Sequence, residues 1–263
     1  MLRTSNPILN ERVFAPSTEY ERFAEESKSV MTLNGAVTAT AILLGVCAAT
    51  GVLVWTFAAA NTSMAVMCAL GGMVVSALLC LIAVFKPTTA PFLAVPIAVG
   101  EGAFAGGLSV FWASYVAAAK GGTVASLGPG LVLQASLLTI CVAGALLALY
   151  ATRIIKPTEN FKLGVIAATV GLCGFMLLAL VLNLIGIQIP YIWGNGPIGI
   201  GFAALVVVIA ALNLVLDFDF IEQGAEQRLP KHMEWLGAIG LLVTLVWLYV
   251  SLLRLLAKLQ SRD

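Results

Sequence analysis

Charged side chains are scarce in this chain. They make up 10% of its 263 residues, whereas a soluble domain typically carries about a quarter. Hydrophobic residues reach 60%, and the mean hydropathy is +1.02. Water would solvate a surface of this composition poorly. The composition therefore excludes an ordinary soluble domain and predicts a protein that lies in a lipid bilayer.

The residues that metal, cofactor and nucleic-acid sites need are also scarce. There is one histidine, His232, and the net charge is +1 without a basic run, so no nucleic-acid partner is expected. No glycine-rich phosphate loop or cofactor motif occurs, and we predict no cofactor. The five cysteines lie in apolar runs without a CxxC spacing, so we interpret them as small core residues. They are Cys47, Cys68, Cys80, Cys141 and Cys173.

Long apolar runs, by contrast, fill most of the chain. A bilayer core of about 30 Å needs about 20 apolar helical residues to cross it. The sequence predicts membrane segments at 36–59, 63–85, 91–119, 130–151, 163–187, 198–216 and 236–257. The connections between them are too short for a soluble domain. We therefore predict an all-α polytopic membrane protein, with a polar cytoplasmic segment over 1–30 and a single seven-helix domain over 31–263.

The distribution of lysine and arginine predicts the orientation. If the N-terminus is cytoplasmic, the inside carries Arg3, Arg12, Arg22, Lys28, Lys86, Arg153, Lys156, Lys162, Arg228 and Lys231. The other side then carries Lys120, Arg254, Lys258 and Arg262. An excess of basic residues marks cytoplasmic loops, which favours this orientation. The basic tail would prefer the inside, so a last segment that crosses only partly is the alternative.

One carboxylate lies deep in a predicted segment. Glu101, in VPIAVGEGAFAGGLSVFW, is about ten residues into the third segment, or roughly 15 Å, near the midplane. A charged glutamate facing lipid there would cost about 3 kcal/mol or more. Glu101 is therefore either a proton-linked site or a neutral acid bonded to a neighbouring backbone. Glycines surround it and indicate close helix packing. They are Gly100, Gly102, Gly106 and Gly107.

Two aspartates follow the sixth apolar segment, in LVLDFDFI. If that segment ends at residue 216, Asp217 lies at a helix C-terminus, where the helix dipole disfavours a negative charge. Asn213, one turn before Asp217, belongs to a stripe of small residues typical of a face that meets other helices. We predict that Asp217 points inward. Asp219, about 200° further round the helix, is predicted to be an interfacial acid.

The seventh segment carries a matching stripe of small and polar residues, which is typical of a buried helix. The stripe consists of Gly237, Gly240, Thr244, Trp247, Ser251, Arg254 and Lys258.

These motifs together resemble the Bax inhibitor-1 family (transmembrane Bax inhibitor motif), in particular its bacterial branch. The resemblance rests on SNPILNERVF, MTLNGAVTAT, EGAFAGGLS, ALYATRIIKPTENFKLGV and the run from LVLDFDFIEQG to the C-terminal MEWLGAIGLLVTLVWLYVSLLRLLAKL. It implies a seven-helix fold whose last helix is central and wrapped by the other six. It also implies a location in the bacterial cytoplasmic (inner) membrane.

The resemblance implies a pH-sensitive calcium or cation leak gated by two aspartates, in helices six and seven. Asp217 matches the first position and would be the gate acid and calcium contact. The second position holds Thr244, so the coupled titration of a carboxylate pair cannot arise in the same way. Lys86 is a candidate cationic latch for Asp217. Glu101 and Asp219 are candidate second acids.

The alternative is a regulator that carries no ions and binds another membrane protein, such as a membrane-bound protease. The charged stretch over 11–30 would then be the contact. Enzymatic functions fit less well. An intramembrane aspartyl protease needs a second facing aspartate, and a serine protease needs Ser109 and His232 in contact, although they lie towards opposite membrane faces. We expect the protein not to be an enzyme.

Overall fold

The computed structural model describes residues 30–155, 157–186 and 194–262. Within these ranges it contains seven helices long and apolar enough to cross a membrane. They are α1 (Leu33–Ala58), α2 (Thr62–Phe85), α3 (Ala90–Lys120), α4 (Val124–Ala151), α5 (Glu159–Leu184), α6 (Pro197–Glu226) and α7 (Met233–Gln260). The predicted all-α, seven-helix membrane fold is therefore confirmed.

Short polar caps explain where several helices begin. The Thr32 side chain accepts a hydrogen bond from Gly35 N at 3.0 Å, and Asn61 caps α2 through Met64 N at 3.2 Å. Such caps satisfy backbone N–H groups that a helix start leaves open. Short connections join these seven helices, each long enough to cross a membrane, so successive helices run in opposite directions. We call the side where α1 begins the N-terminal face and the other side the opposite face.

The sixth helix is longer than its apolar sequence predicted. It continues to Glu226, whereas the apolar run ends near residue 216. The added part carries acids on one side, and Ile221 packs into a hydrophobic cluster on another. Asp217 consequently lies more than two turns from the helix end. The expectation that a helix C-terminus disfavours its charge is wrong, because the dipole acts mainly within the last turn.

Two helices share the interior of the bundle. In the membrane-spanning windows of α3 and α7, 56% of the residues are buried, against at most 39% in any other helix. The last helix packs against α1, α2, α3, α4 and α6, whereas α5 packs only against α6 in the described part of the chain. Wrapping of the last helix by all six others is therefore not confirmed.

Glycines on different sides of α3 let two helices approach it. A Cβ atom at Gly102 would collide with the backbone carbonyl of Cys47 in α1. A Cβ atom at Gly100 would lie 3.0 Å from the carbonyl oxygen of Gly72 in α2. Small residues permit such close backbone contact in membranes. Glycines occur on several sides of α3 because a different helix packs closely against each side.

The start of α1 is fixed to the start of α7 by a buried carboxylate. Glu234, 3% exposed, accepts hydrogen bonds from the backbone N–H and the hydroxyl of Thr32, at 2.8 and 2.9 Å. Lys231 Nζ lies 2.9 Å from the same oxygen. A carboxylate at a helix N-terminus satisfies open N–H groups and the helix dipole together.

The cysteines differ from the prediction that all are core residues. Cys47 is buried, and Cys68 and Cys80 are half-buried. Cys141 and Cys173 are exposed on the outer surface of the bundle. In a membrane, an apolar outer surface contacts hydrocarbon, so a thiol needs no core position there.

Two adjacent glycines of α2 test the packing. A Cβ atom at Gly72 would lie 2.8 Å from Phe104 N, whereas one at Gly71 would meet nothing within 4 Å. We expect Gly72→Ala to lower the free energy of unfolding by about 1–3 kcal/mol through overpacking. Gly71→Ala should be neutral or stabilise by up to about 1 kcal/mol through helix propensity. Thermal unfolding in detergent measures both; equal effects would contradict the close approach of α2 and α3.

Candidate functional site

Asp217 lies at the interface between α6 and α7, which we call the seam. Its carboxyl interacts with the hydroxyl of Thr244, and Gly240 leaves room beside its Oδ1. Thr244 is 9% exposed. The Asp217 Oδ2 atom is buried and has no hydrogen-bond partner among the described residues. The structure thus brings together the two positions that the family pattern pairs, one of them occupied by threonine.

The polar stripe of α7 extends this seam towards the opposite face. Ser251 donates to the carbonyl of Trp247 in its own helix at 2.8 Å, so its hydroxyl is satisfied locally. Further along, Lys258 Nζ donates to the carbonyl oxygens of Gly194 and Gly199, at 3.0 and 3.3 Å. Arg254 lies one turn inward from Lys258. The seam therefore begins at a carboxyl group and ends at two basic side chains.

Asn213 does not face Asp217 with its amide. The amide nitrogen donates to Thr169 Oγ1 of α5 at 2.7 Å and to the carbonyl of Ile209 at 2.9 Å. Since α5 packs only against α6 in the described ranges, this bond is one of its few polar attachments. We assign Asn213 a structural role in joining α5 to α6.

Asp219 and its neighbours form a separate ionic network at the N-terminal face. Asp219 Oδ2 lies 2.9 Å from Lys162 Nζ of α5. Glu222, one turn on, binds Arg153 and the hydroxyl of Tyr150. Glu222, Tyr150 and the pairing role of Arg153 and Lys162 were not predicted from the sequence. Asp219 and Glu222 are three residues apart and therefore lie on one side of the helix. This spacing was the sequence feature that could have indicated the network.

Lys86 does not reach Asp217. It caps the end of α2 and is exposed, and α2 does not pack against α6 in the described residues. In the described ion pairs of α6, Asp219 pairs with Lys162 and Glu222 pairs with Arg153. The structure therefore does not support Lys86 as a latch for Asp217.

Glu101 belongs to a different interface. It is 7% exposed and accepts a hydrogen bond from the Ser76 hydroxyl of α2. The partner is a side chain, whereas the neutral alternative anticipated a backbone group. Because α3 and α6 do not pack against each other in the described residues, Glu101 and Asp217 cannot form a carboxylate pair.

The seam offers few ligands for a resident metal ion. No group of three or more His, Cys, Asp or Glu residues that could hold a metal occurs in the part of the chain that the structure describes. Calcium takes six to eight oxygen ligands, and Asp217 and Thr244 supply only a carboxyl and a hydroxyl. These two side chains alone do not complete a calcium coordination shell.

Fold and site together define a polytopic integral membrane protein with a buried carboxyl between its last two helices. A model of the family described as Bax inhibitor 1 like matches residues 6–261, nearly the whole chain. The chain belongs to this family, and the resemblance drawn from its motifs is confirmed. No curated protein and no solved structure matches it.

Glu101 gives a direct test of its protonation state. With one hydroxyl partner and no cation among its described hydrogen-bond and ion-pair contacts, we expect a neutral acid, which Glu101→Gln mimics. The substitution should change the free energy of unfolding by less than about 1 kcal/mol, because the glutamine amide oxygen can still accept the hydrogen bond from Ser76. A charged, paired Glu101 would instead cost about 3–5 kcal/mol when neutralised. Thermal unfolding in detergent near neutral pH distinguishes the two.

Proposed function

We propose that this protein is a cation leak controlled by protonation, with Asp217 as its gate acid. The observation that carries the proposal is the buried Oδ2 atom of Asp217, which has no described hydrogen-bond partner. Asp219 and Glu222, on the same helix, have basic partners. Glu226, the remaining acid of α6, is exposed. Asp217 is therefore the acid of α6 that has a buried carboxyl oxygen and no described basic partner, and we infer that it exchanges a proton for a passing cation.

The mechanism follows from the cost of burying a charge. An ionised carboxylate in an apolar interior is unfavourable unless it is paired. In the proposed closed state the Asp217 carboxyl is protonated, and it interacts with the hydroxyl of Thr244. When it loses its proton, a cation must replace that proton at the same oxygens. Calcium, which prefers carboxylate and other oxygen ligands, is the cation we expect.

The missing second aspartate sets the expected pH response. Two adjacent carboxylates titrate as a coupled pair. Here Thr244 stands in the second position, and Glu101 lies in another interface. A single carboxyl gives a simple one-proton dependence, with flux rising as pH rises because the ionised form binds the cation.

The orientation that favours this function places the N-terminal face in the bacterial cytoplasm. Asp217 is nine positions before the end of α6 at Glu226, or roughly 14 Å from that face along the helix. The gate acid would then be closer to the cytoplasmic side. The cytoplasmic membrane is the location we propose.

A second candidate function is a regulator that conducts no ions. The observation that favours it is the position of the Lys258 side chain, 1% exposed, at the end of the seam. The carbonyl oxygens of Gly194 and Gly199 hold it there, so it obstructs a route for cations along the seam. The protein would then bind another membrane protein, such as a membrane-bound protease. The proposed contact over 11–30 lies outside the described residues except for Val30.

Neutralising the gate acid separates these functions. In liposomes that contain only this protein, we expect Asp217→Asn to reduce calcium flux and to flatten its dependence on pH. The matched control is Asp219→Asn, which affects an acid paired with Lys162 and should change flux much less. Fluorescent calcium indicators inside the liposomes measure both, with thermal unfolding as a check on folding.

Restoring a second carboxyl is the complementary test. Thr244→Asp places an acid beside Asp217, so the pair should lose its protons in two separate steps, the second at higher pH. The pH dependence of flux should therefore broaden and extend to higher pH. Wild-type liposomes that pass no cations at any pH would exclude the leak and favour the regulator. Equal effects of Asp217→Asn and Asp219→Asn would also contradict the gate.

A further inference from the structure

A lateral groove runs through the bundle between α1 and α4. These two helices border it without packing against each other, while α3 and α7 form its floor. The groove encloses about 1190 Å³. Along α1 it is lined from Leu33 to Trp55, a helical length of roughly 33 Å, which matches the thickness of a hydrocarbon core. Since both bordering helices are membrane segments, its open side faces the bilayer.

The walls of the groove are apolar in effect. Leucine, valine and alanine predominate, and the serine and threonine hydroxyls on its walls donate to carbonyls of their own helices. Thr40 donates to Ala36 at 2.8 Å and Thr139 to Ala135 at 2.7 Å. A water molecule needs two to four polar partners, and an empty space forfeits dispersion contacts. A hydrocarbon chain from the bilayer needs no hydrogen bonds and makes dispersion contacts with these apolar walls, so it is the most favourable occupant of the groove.

One end of the groove is charged. Arg153 lies at its N-terminal-face end with its side chain 60% exposed, and it binds Glu222, which also lines the groove. The left-handed backbone of Arg153, with φ of 58°, turns the chain just after α4. A guanidinium carries five N–H donors in a planar fork that matches phosphate geometry. Within the described residues, Glu222 accepts from one of these donors, and the others have no described acceptor.

The charge pattern at this end identifies the headgroup. Arg153 and Glu222 present a positive and a negative group side by side. A zwitterionic headgroup presents a phosphate and an ammonium side by side, so each charge can meet its opposite. A purely anionic headgroup has no ammonium to meet Glu222, and its phosphate would lie near that carboxylate.

We propose that the groove between α1 and α4 binds one phosphatidylethanolamine molecule from the surrounding bilayer. Its phosphate binds Arg153, its ammonium binds Glu222, and its acyl chains lie along the apolar walls. The site does not depend on ion conduction.

Two glycines of α4 provide a matched pair for the test. A Cβ atom at either Gly144 or Gly130 would meet nothing within 4 Å, and both residues are exposed, but only Gly144 lines the groove. Gly144→Phe should fill the groove without disturbing the helix, and Gly130→Phe should leave it open. The protein is purified from bilayers of equal phosphatidylethanolamine and phosphatidylglycerol, and native mass spectrometry counts the retained lipids.

We expect the wild type and Gly130→Phe to retain one phosphatidylethanolamine, and Gly144→Phe to lose it. Glu222→Gln should reduce the preference for phosphatidylethanolamine over phosphatidylglycerol by about tenfold, equivalent to about 1.4 kcal/mol. Arg153→Gln should weaken retention of both lipids. Thermal unfolding verifies that each variant is folded.

Three results would overturn the proposal. Equal lipid retention by Gly144→Phe and Gly130→Phe would show only a general lipid shell. A preference for phosphatidylglycerol in the wild type would contradict the charge argument. A wild type without bound lipid would leave the groove to another occupant, such as an apolar helix of a partner protein.

Discussion

Polar groups inside a bilayer must find their partners within the protein, and this constraint organises the whole molecule. Hydrocarbon offers no hydrogen bonds, so an unsatisfied polar group there costs several kcal/mol. Glu101 is satisfied by a hydroxyl of α2, and Ser109 pairs with Tyr249 of α7 at 2.7 Å. Glu234 binds the start of α1. Each pairing joins two helices whose apolar surfaces alone would not distinguish one neighbour from another.

The same constraint separates the acids of α6 by role. At the N-terminal face, Asp219 and Glu222 meet basic side chains of α5 and of the turn after α4. Deeper in the bundle, Asp217 meets only a threonine hydroxyl and space beside a glycine among its described surroundings. Helix position therefore decides whether a carboxyl of α6 forms an ion pair with a neighbouring element of the described structure. This difference is the physical basis of the proposed gate.

The sequence predicted the seven helices well because long apolar runs leave few alternatives in a bilayer. It placed the end of α6 too early, since residues 217–226 carry charge and no continuous apolar run. The helix persists there because its charges are paired across the bundle. Those pairs join Glu222 to Arg153 and Asp219 to Lys162, which are distant in sequence. Local patterns give no distance between such residues, so the network could not be predicted.

Composition and apolar periodicity determined by themselves that this chain lies in a membrane, and its motifs determined its family. The sequence also determined that a threonine replaces the second acid. Tertiary structure decided which polar groups meet: that Thr244 faces Asp217, that Lys86 does not, and that Glu101 belongs to a separate interface. It also decided that α3 shares the interior with α7, because close approach depends on where the glycines of neighbouring helices come into register.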